Sequence, residues 1–353
     1  MKLLKYLFFL ILIVLIGGAV YFGTQDGNFD LSESQVIQAP TTLVFDKVND
    51  LSTWESWGPW KAEDSTMVII LGEKTKGEGA SYSWTGEMDG SLETTSVTPN
   101  EQILQKLSLL TPAGERNPEV YWNFEEVDGG TEVTWGMKGE HTFMDKVYYA
   151  VSGMDFNGDM KKMQTTGLEN IAKQVQEDMK KYSITVEGIK EYGGGYYLYT
   201  TTASTLAGIG EKMGIMLGKV SAFMSQNNIS SAGMPFTIYN EIDEANGTVI
   251  FSSSIPVSER IIITEGDVLC GHMKPTSAVK TVLLGNYEYL SEAYNKAHEY
   301  VAQNNLIPDP SKKVFEVYSN DPGDFPNPAD WRTDIYIPVF KDLRSNHPII
   351  RGN

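Results

Sequence analysis

The chain has 353 residues, which is enough for two domains of ordinary size. Its formal net charge of −18 repels nucleic-acid phosphates, so the sequence predicts no nucleic-acid partner. The single cysteine, Cys270, excludes an intrachain disulfide, and the four histidines lie far apart without a spacing typical of metal ligands. We therefore expect no metal site and no cofactor.

The N-terminal segment is apolar. Tyr6 to Gln25 are 20 residues without a charge, and a helix of that length spans roughly 30 Å, the thickness of a bilayer's hydrocarbon core. Lysines precede this run and acidic residues follow it, so the positive-inside rule predicts a cytoplasmic N-terminus and extracytoplasmic domains, periplasmic in a Gram-negative cell. A cleaved signal peptide is the alternative, but the run is long and lacks a clean small-x-small cleavage site. We predict an uncleaved transmembrane anchor at residues 1–25.

Residues 30–180 predict a first soluble domain, in which one long helix closes a sheet. Strands are expected around residues 33–40, 77–86, 91–97, 102–110, 119–127 and 131–140. Between residues 160 and 179, apolar side chains recur at steps of three to five residues, mostly on one helical face. This order predicts a helix lying across a curved sheet, with a cavity between them.

Large aromatic side chains are concentrated in this domain, since six of the seven tryptophans lie between residues 54 and 135. The motifs follow in the order Asp50-Leu51, Trp54, Trp57, Pro59-Trp60, Gly77-x-Gly79-Ala80-x-Tyr82-x-Trp84 and a final helix. This order resembles the SRPBCC superfamily of START-like and polyketide-cyclase domains over about residues 33–178. The resemblance implies a helix-grip fold around an apolar ligand cavity and assigns no catalytic residue. Core packing is the alternative role for the tryptophans.

Residues 183–345 predict a second domain built from a repeat. A strand precedes each of two helices, expected at about 204–227 and 287–303, and two strands follow each helix, at 235–240, 248–255, 313–318 and 333–339. Two strand-helix-strand-strand units predict a pseudo-twofold domain with a groove between its halves. Alignment of Phe236-Thr237-Ile238-Tyr239-Asn240 with Phe315-Glu316-Val317-Tyr318-Ser319 equates Glu316 with Thr237, so the carboxylate breaks the symmetry.

Glu316 is unusual because it lies between two apolar residues in a short strand, where glutamate is a poor strand former. A solvated strand face is one interpretation. The other is a carboxylate that faces an aromatic-lined pocket, where it can bind a cation or transfer a proton.

Three sequence motifs connect this domain to a known family: Gly285-x-Tyr287-Glu288-x-Leu290-x-x-Ala293-Tyr294, Glu316-Val317-Tyr318-Ser319-Asn320-Asp321-Pro322 and Thr333-Asp334-Ile335-Tyr336-Ile337-Pro338-Val339. They resemble the GyrI-like effector-binding domains of AraC-type and MerR-type regulators over about residues 183–341. The resemblance implies an aromatic-lined groove between the repeats, with Glu316 pointing into it. We expect Tyr197, Tyr199, Trp331 and Tyr336 near Glu316. In the regulators a helix-turn-helix precedes this domain, whereas here an apolar segment and a START-like domain do, so a transcription-factor role is not expected.

The sequence thus predicts an α+β protein, with a helix-grip domain followed by a pseudo-twofold GyrI-like domain. The favoured function is membrane-anchored binding of small molecules, with an apolar ligand in the first domain and an amphipathic or cationic ligand in the second. The alternative is a hydrolase, because some stand-alone GyrI-like proteins resemble hydrolases that use a glutamate and a tyrosine; Glu316 would then be catalytic as general base. A third possibility is an interaction module without a ligand. No nucleophile elbow, metal set or phosphate loop supports an enzyme, and nothing in the sequence specifies an oligomeric state.

Overall fold

The computed structural model describes residues 2–111, 114–320 and 323–340. The described chain divides into two compact units, between Asp178 and Met179. Each unit has its own antiparallel sheet of eight strands with helices packed on it, so the α+β class predicted from the sequence is confirmed. The predicted end of the second domain at residue 345 lies outside the described residues.

The first unit contains six α-helices and eight strands within the described residues. In chain order they are α1 (Lys2–Thr24), β1 (Asn28–Ile37), α2 (Thr41–Asn49), α3 (Trp54–Trp57), α4 (Trp60–Glu63), β2 (Val68–Leu71), β3 (Ser81–Thr85), β4 (Gly90–Thr98), β5 (Gln102–Thr111), β6 (Gly114–Arg116), β7 (Glu119–Val127), β8 (Gly130–Glu140), α5 (Phe143–Ser152) and α6 (Phe156–Met179). The strand order is β1-β8-β7-β5-β4-β3-β2, and the short β6 pairs with β5.

The N-terminal helix α1 is a candidate membrane span. Leu3–Thr24 is long and apolar enough to cross a bilayer, and the window that meets this criterion has none of its residues buried inside the protein. A buried core helix would have hidden one face of these side chains against the sheet.

Tryptophans fill the space between α6 and the sheet. Helix α6 buries Leu168, Ile171 and Val175, as its apolar spacing predicted. Trp122 is fully buried and stacks on Trp135 at 4.6 Å between ring centroids. These rings therefore form part of the core, which was the alternative role considered from the sequence.

Gly167 allows α6 to approach this aromatic cluster. A Cβ at Gly167 would lie only 2.5 Å from the Trp135 ring, and Trp135 is itself buried among other rings. The close approach of helix and indole therefore requires a residue without a side chain at this position.

The second unit contains two α-helices and eight strands within the described residues. They are β9 (Ser183–Tyr192), β10 (Gly195–Thr205), α7 (Ile209–Gln226), β11 (Phe236–Asp243), β12 (Thr248–Val257), β13 (Leu269–Met273), β14 (Thr276–Leu284), α8 (Leu290–Gln303), β15 (Phe315–Tyr318) and β16 (Arg332–Pro338). The strand order is β13-β10-β12-β11-β15-β16-β14-β9.

This order shows the predicted pseudo-twofold repeat. The first repeat supplies β10, β12 and β11, the second supplies β15, β16 and β14, and the two repeats meet where β11 pairs with β15. Thr237 and Glu316, which the sequence alignment equates, are direct cross-strand partners at this junction. The pseudo-twofold axis therefore passes between the hydroxyl-bearing and the carboxylate-bearing residue.

The two helices cover the outer strands of one face of this sheet. Helix α7 packs on β10 and β12, and α8 packs on β14, β9 and β16. The strand register places Thr200, Ser253, Thr237, Glu316 and Ile335 in one row across this face. The central strands β11 and β15 therefore lie between the two helices, and Glu316 points to the helix-covered side.

A substitution at Gly167 tests the packing of the first unit. Gly167→Ala is expected to destabilise this unit by about 1–3 kcal/mol because the methyl group overpacks the indole, although alanine is the better helix former. Denaturant unfolding of the full chain, followed by tryptophan fluorescence, measures the change. The matched test repeats Gly167→Ala in a Trp135→Leu background, where a smaller loss is expected; an equal loss in both backgrounds would contradict the contact.

Candidate functional site

The candidate site is centred on the carboxylate of Glu316. Glu316 is 1% exposed and lies in β15, where all four residues are buried. Period-two alternation keeps Phe315 and Val317 on one face of this strand and turns Glu316 to the other, towards the helices. The carboxylate is therefore enclosed by protein at the junction of the two repeats.

Three tyrosines lie around this carboxylate, and the hydroxyls of two of them donate hydrogen bonds to it. The Tyr294 hydroxyl donates to Oε1 at 2.8 Å, and the Tyr318 hydroxyl donates to Oε2 at 2.9 Å. The Tyr239 hydroxyl is the third polar group near this carboxylate, and it too lowers the pKa of Glu316. The three come from α8, β15 and β11, so helix packing and strand pairing together build the cluster, here called the tyrosine cage.

The electrostatics of the cage follow from burial. Burial raises the pKa of the Glu316 carboxyl above its ordinary value, while the hydroxyls of the three tyrosines oppose this rise. Burial, and then the nearby Glu316 charge, raise the pKa values of Tyr239, Tyr294 and Tyr318 well above the ordinary value. The tyrosines therefore stay protonated at neutral pH and act as hydrogen-bond donors.

Glu316 has no ion-pair partner in the part of the chain that the structure describes. Its oxygens are instead satisfied by neutral hydroxyls. A buried carboxylate without a counter-charge is costly, because hydrogen bonds offset only part of the lost hydration. The arrangement therefore suits either a neutral carboxylic acid or a carboxylate that receives a cation from outside.

Three of the predicted aromatic residues lie on the opposite face of the sheet from Glu316. Tyr336 stacks on Phe315 at 4.8 Å, because the register pairs these two residues and pairs Glu316 with Ile335. Tyr197 contacts Phe236 at 5.1 Å and Tyr199 at 5.4 Å on that same far face. Tyr197, Tyr199 and Tyr336 were expected near Glu316, and the structure corrects this expectation. Successive side chains of a strand point to opposite faces of the sheet, so an offset of one residue in the strand pairing places a side chain on the other face.

The far face also contains its own charges. The Lys280 ammonium lies 3.0 Å from the Asp334 carboxylate and 5.9 Å from the centre of the Tyr336 ring. The sheet therefore separates this ion pair from the Glu316 carboxylate.

Trp331 lies at the edge of the tyrosine cage. Its ring is 4.9 Å from Tyr287, whose ring is 6.1 Å from Tyr318. Tyr287 and Trp331 therefore extend the aromatic surface of the cage beyond Tyr318.

Tyr239 and Tyr294 are not among the residues predicted near Glu316 from the sequence, and neither is Tyr318. A signal for two of them was present, because Tyr239 and Tyr318 occupy equivalent positions in the aligned repeat segments. Tyr294 had only a weaker signal, as an apolar-face position of the predicted helix. Its proximity to Glu316 depends on how α8 packs on the sheet.

A cavity of about 680 Å³ lies in the first unit, beneath α5. Its wall is mostly apolar and includes Phe29, Met88, Leu109, Met137, Met144, Val147, Tyr148, Val151, Met154 and Phe156. Its volume falls within the range of small-molecule sites. The space is thus bordered by α5, whereas Trp122 and Trp135 pack in the core under α6.

The polar part of this wall is built around an ion pair. The Arg116 Nε donates to Asp145 at 2.7 Å, and Asp145 also closes the capping box of α5 with Thr142. Hydrogen bonds from Arg116 and Thr142 outweigh burial and lower the pKa of Asp145. His141 stacks on Phe29 at 4.5 Å, and burial lowers the pKa of this imidazole.

Comparison with known families agrees with both units. Residues 28–176 match the family described as polyketide cyclase / dehydrase and lipid transport. Residues 209–339 match the family described as GyrI-like small molecule binding domain. No curated protein matches the chain significantly.

Similar solved structures share little sequence with this chain. EcmrR in a cryo-EM complex with DNA is 16% identical, with 57% of this chain and 78% of that chain covered and a TM-score of 0.40. Protein CV1439 from Chromobacterium violaceum is 13% identical, with 42% and 96% covered and a TM-score of 0.33. The Aha1 dimer from Colwellia psychrerythraea is 12% identical, with 42% and 96% covered and a TM-score of 0.32.

The raised pKa of Glu316 predicts a pH-dependent stability. Between the ordinary carboxyl pKa of 4.5 and the raised folded value, the folded state retains a proton that the unfolded state has released. The contribution of Glu316 to stability therefore falls as pH rises through this window. Glu316→Gln has no such proton, so its stability relative to the wild type should increase with pH.

Hydrogen–deuterium exchange of the peptide that covers β15, compared between variants at each pH, measures this difference. The exposed Glu241 on β11 provides the control variant Glu241→Gln, which also removes one negative charge. A stability difference for Glu316→Gln that stays constant with pH would show that the carboxyl is not perturbed in this way.

Proposed function

We propose that this protein, which joins a polyketide-cyclase-like domain to a GyrI-like domain, is a membrane-anchored protein that binds small molecules. In this proposal residues 1–25 are an uncleaved anchor with a cytoplasmic N-terminus, and the domains at 30–180 and 183–345 lie outside. The GyrI-like domain takes an amphipathic or cationic ligand at the tyrosine cage. The first domain takes an apolar ligand in the cavity beneath α5.

The proposal of a cationic ligand is supported mainly by the buried Glu316 carboxylate, which has no ion-pair partner among the described residues. A cation bound beside it restores the lost electrostatic stabilisation. The rings of the tyrosine cage can add about 0.5–2 kcal/mol for each cation–π contact. A site with one carboxylate and several aromatic rings favours a ligand that has a single positive charge and an otherwise apolar structure.

The packing around the cage supports a route for the ligand. Glu316 and Tyr318 are buried, whereas Tyr239 and Tyr294 keep part of their surface exposed. Tyr239 packs with Met213 and Met216 of α7, and flexible thioethers adapt readily to different shapes. We therefore place the entry past Tyr239 and Tyr294, between the two helices.

The apolar lining of the other cavity supports the second ligand. Most of its lining side chains are hydrocarbon or thioether groups, while its polar groups are concentrated around Arg116 and Asp145. A ligand that buries an apolar body gains about 25 cal/mol for each Å² removed from water. A compound with a long or bulky hydrocarbon portion fits this wall best.

Hydrolysis by the tyrosine cage is the second candidate function. A carboxyl with a raised pKa beside tyrosine hydroxyls is a suitable general acid or base. In a turnover screen of ester and amide libraries, loss of hydrolysis in Glu316→Gln with ligand affinity retained would favour the enzyme. If no small molecule raises the melting temperature, an interaction module is favoured instead.

A matched pair of ligands tests the cation site. A phenylalkyl trimethylammonium ion should bind the full chain more tightly than its neutral tert-butyl isostere, because only the ion has a charge to place beside Glu316. Glu316→Gln should lower the affinity for the ion at least about tenfold, which is roughly 1.4 kcal/mol, and leave the affinity for the isostere unchanged. Isothermal titration calorimetry measures both, with Glu241→Gln as control. Equal losses for both ligands would mean a damaged fold, and no loss would disprove the site.

The hydroxyl of Tyr318 should control the pH dependence of this binding. A cation binds the ionised carboxylate, so its affinity should rise with pH through the pKa of Glu316. Tyr318→Phe keeps the ring but removes a donor that lowers this pKa, so the midpoint should move to higher pH. Titrations over a pH series test this shift. A midpoint that stays in place would assign Tyr318 a packing role only.

A further inference from the structure

We propose that α5 lies on the membrane surface, so that the cavity beneath it opens onto the bilayer and receives its apolar ligand directly from the lipid phase. This inference rests on the proposed anchoring by α1 and names the source of the ligand for the first domain. The partner surface is a bilayer interface of uncharged or zwitterionic lipid.

The first observation is an exposed apolar face on α5. Met144, Tyr148 and Val151 follow one another at steps of four and three residues, so they lie on one side of the helix. All three are exposed, Val151 to 83%, and all three also line the cavity. These residues, here called the α5 rim, therefore form the edge of the cavity and face solvent.

The second observation is that α5 is fixed beside the end of α1. The Phe22 ring of α1 lies 6.5 Å from the Phe143 ring at the start of α5. The Lys146 ammonium donates to the Gln25 carbonyl at 2.5 Å. Helix α5 is therefore held next to the last turn of the candidate membrane span.

The position of that last turn sets the depth of α5. If Leu3–Thr24 crosses the bilayer, Tyr21 and Phe22 lie at its outer interface, where aromatic side chains are enriched. A helix in ring contact with Phe22 lies at the same level. Its exposed apolar face then meets the boundary between headgroups and acyl chains, as in other interfacial helices.

The charges around α5 indicate the kind of lipid. Helix α5 contains one acidic and one basic side chain, Asp145 and Lys146, and these are engaged by Arg116 and by the Gln25 carbonyl. The whole chain has a net charge of −18. Attraction to anionic headgroups therefore contributes little, and burial of the α5 rim supplies the interaction.

The test uses the full chain in phosphatidylcholine proteoliposomes. Cys270→Ser removes the only thiol, and Val151→Cys then accepts an environment-sensitive fluorophore. The matched control is Val68→Cys, an exposed valine of the edge strand β2 in the same sheet. Lipids with a spin label high on the acyl chain quench only fluorophores that reach the interface.

We expect the label at 151 to lose most of its emission and to shift to the blue, while the label at 68 does neither. Addition of anionic lipid should not increase the quenching. Equal quenching at both positions would overturn the proposal, as would extraction of the protein by carbonate, because α1 would then not be an anchor. Protection of the label at 151 by an added soluble protein, without quenching by lipid, would assign the α5 rim to a protein partner instead.

A loading experiment separates this inference from ligand binding itself. A vesicle-borne fluorescent fatty acid should load into Phe143→Asp several-fold more slowly than into the wild type, because Phe143 is exposed on α5 beside Phe22. Final occupancy in detergent should stay the same, since Phe143 is not among the residues that line the cavity. Val68→Asp is the control. If the variant loads from vesicles as fast as the wild type and reaches the same final occupancy, delivery from the membrane is disproved, while the proposed apolar ligand site remains supported. Absence of occupancy in the wild type, with the label at 151 still quenched, would disprove the ligand site and keep the membrane contact.

Discussion

Burial of the Glu316 carboxylate is the constraint on which the second unit depends. Its two oxygens lie at the junction of the repeats, receive hydrogen bonds from tyrosines of β15 and α8, and have a third tyrosine, from β11, nearby. A carboxylate left there without these donors would cost several kcal/mol through lost hydration. The two central strands and the second helix must therefore keep their relative positions for the carboxylate to be tolerated.

The pseudo-twofold repeat explains why the site has one charge and several rings. Tyr239 and Tyr318 are equivalent in the two repeats and both reach the same carboxylate. Thr237 occupies the position equivalent to Glu316 and pairs with it directly across the strands. A second glutamate there would place two carboxylates side by side, and their repulsion would force one to stay protonated. The broken symmetry thus gives a site for a single positive charge.

In the first unit, one part of the sheet is covered by packed aromatic side chains and another part borders the cavity. Trp57, Trp122 and Trp135 fill the part beneath α6, where Gly167 lets the helix come close. The remaining space lies beneath α5, whose apolar side chains are shared between the cavity wall and the surface. The closely packed part of the unit therefore lies beside an open part, and the helix over the open part contacts the candidate membrane span.

The sequence by itself determined most of the helices and strands, the repeat and the likeness to two families, because periodicity and local motifs encode these features, but it did not predict α5. It also predicted Glu316 as a site residue, from the unusual place of a glutamate in a short apolar strand. Strand register and helix packing depend on distant segments, and only the tertiary structure decided them. The strand register places Tyr197, Tyr199 and Tyr336 on the face of the sheet opposite to Glu316, because a shift of one residue in pairing exchanges the two faces of a strand. Packing of α8 brought Tyr294 to the carboxylate across 22 positions of sequence. The location of the cavity was decided in the same way, because side-chain volumes from separate elements determine where space remains.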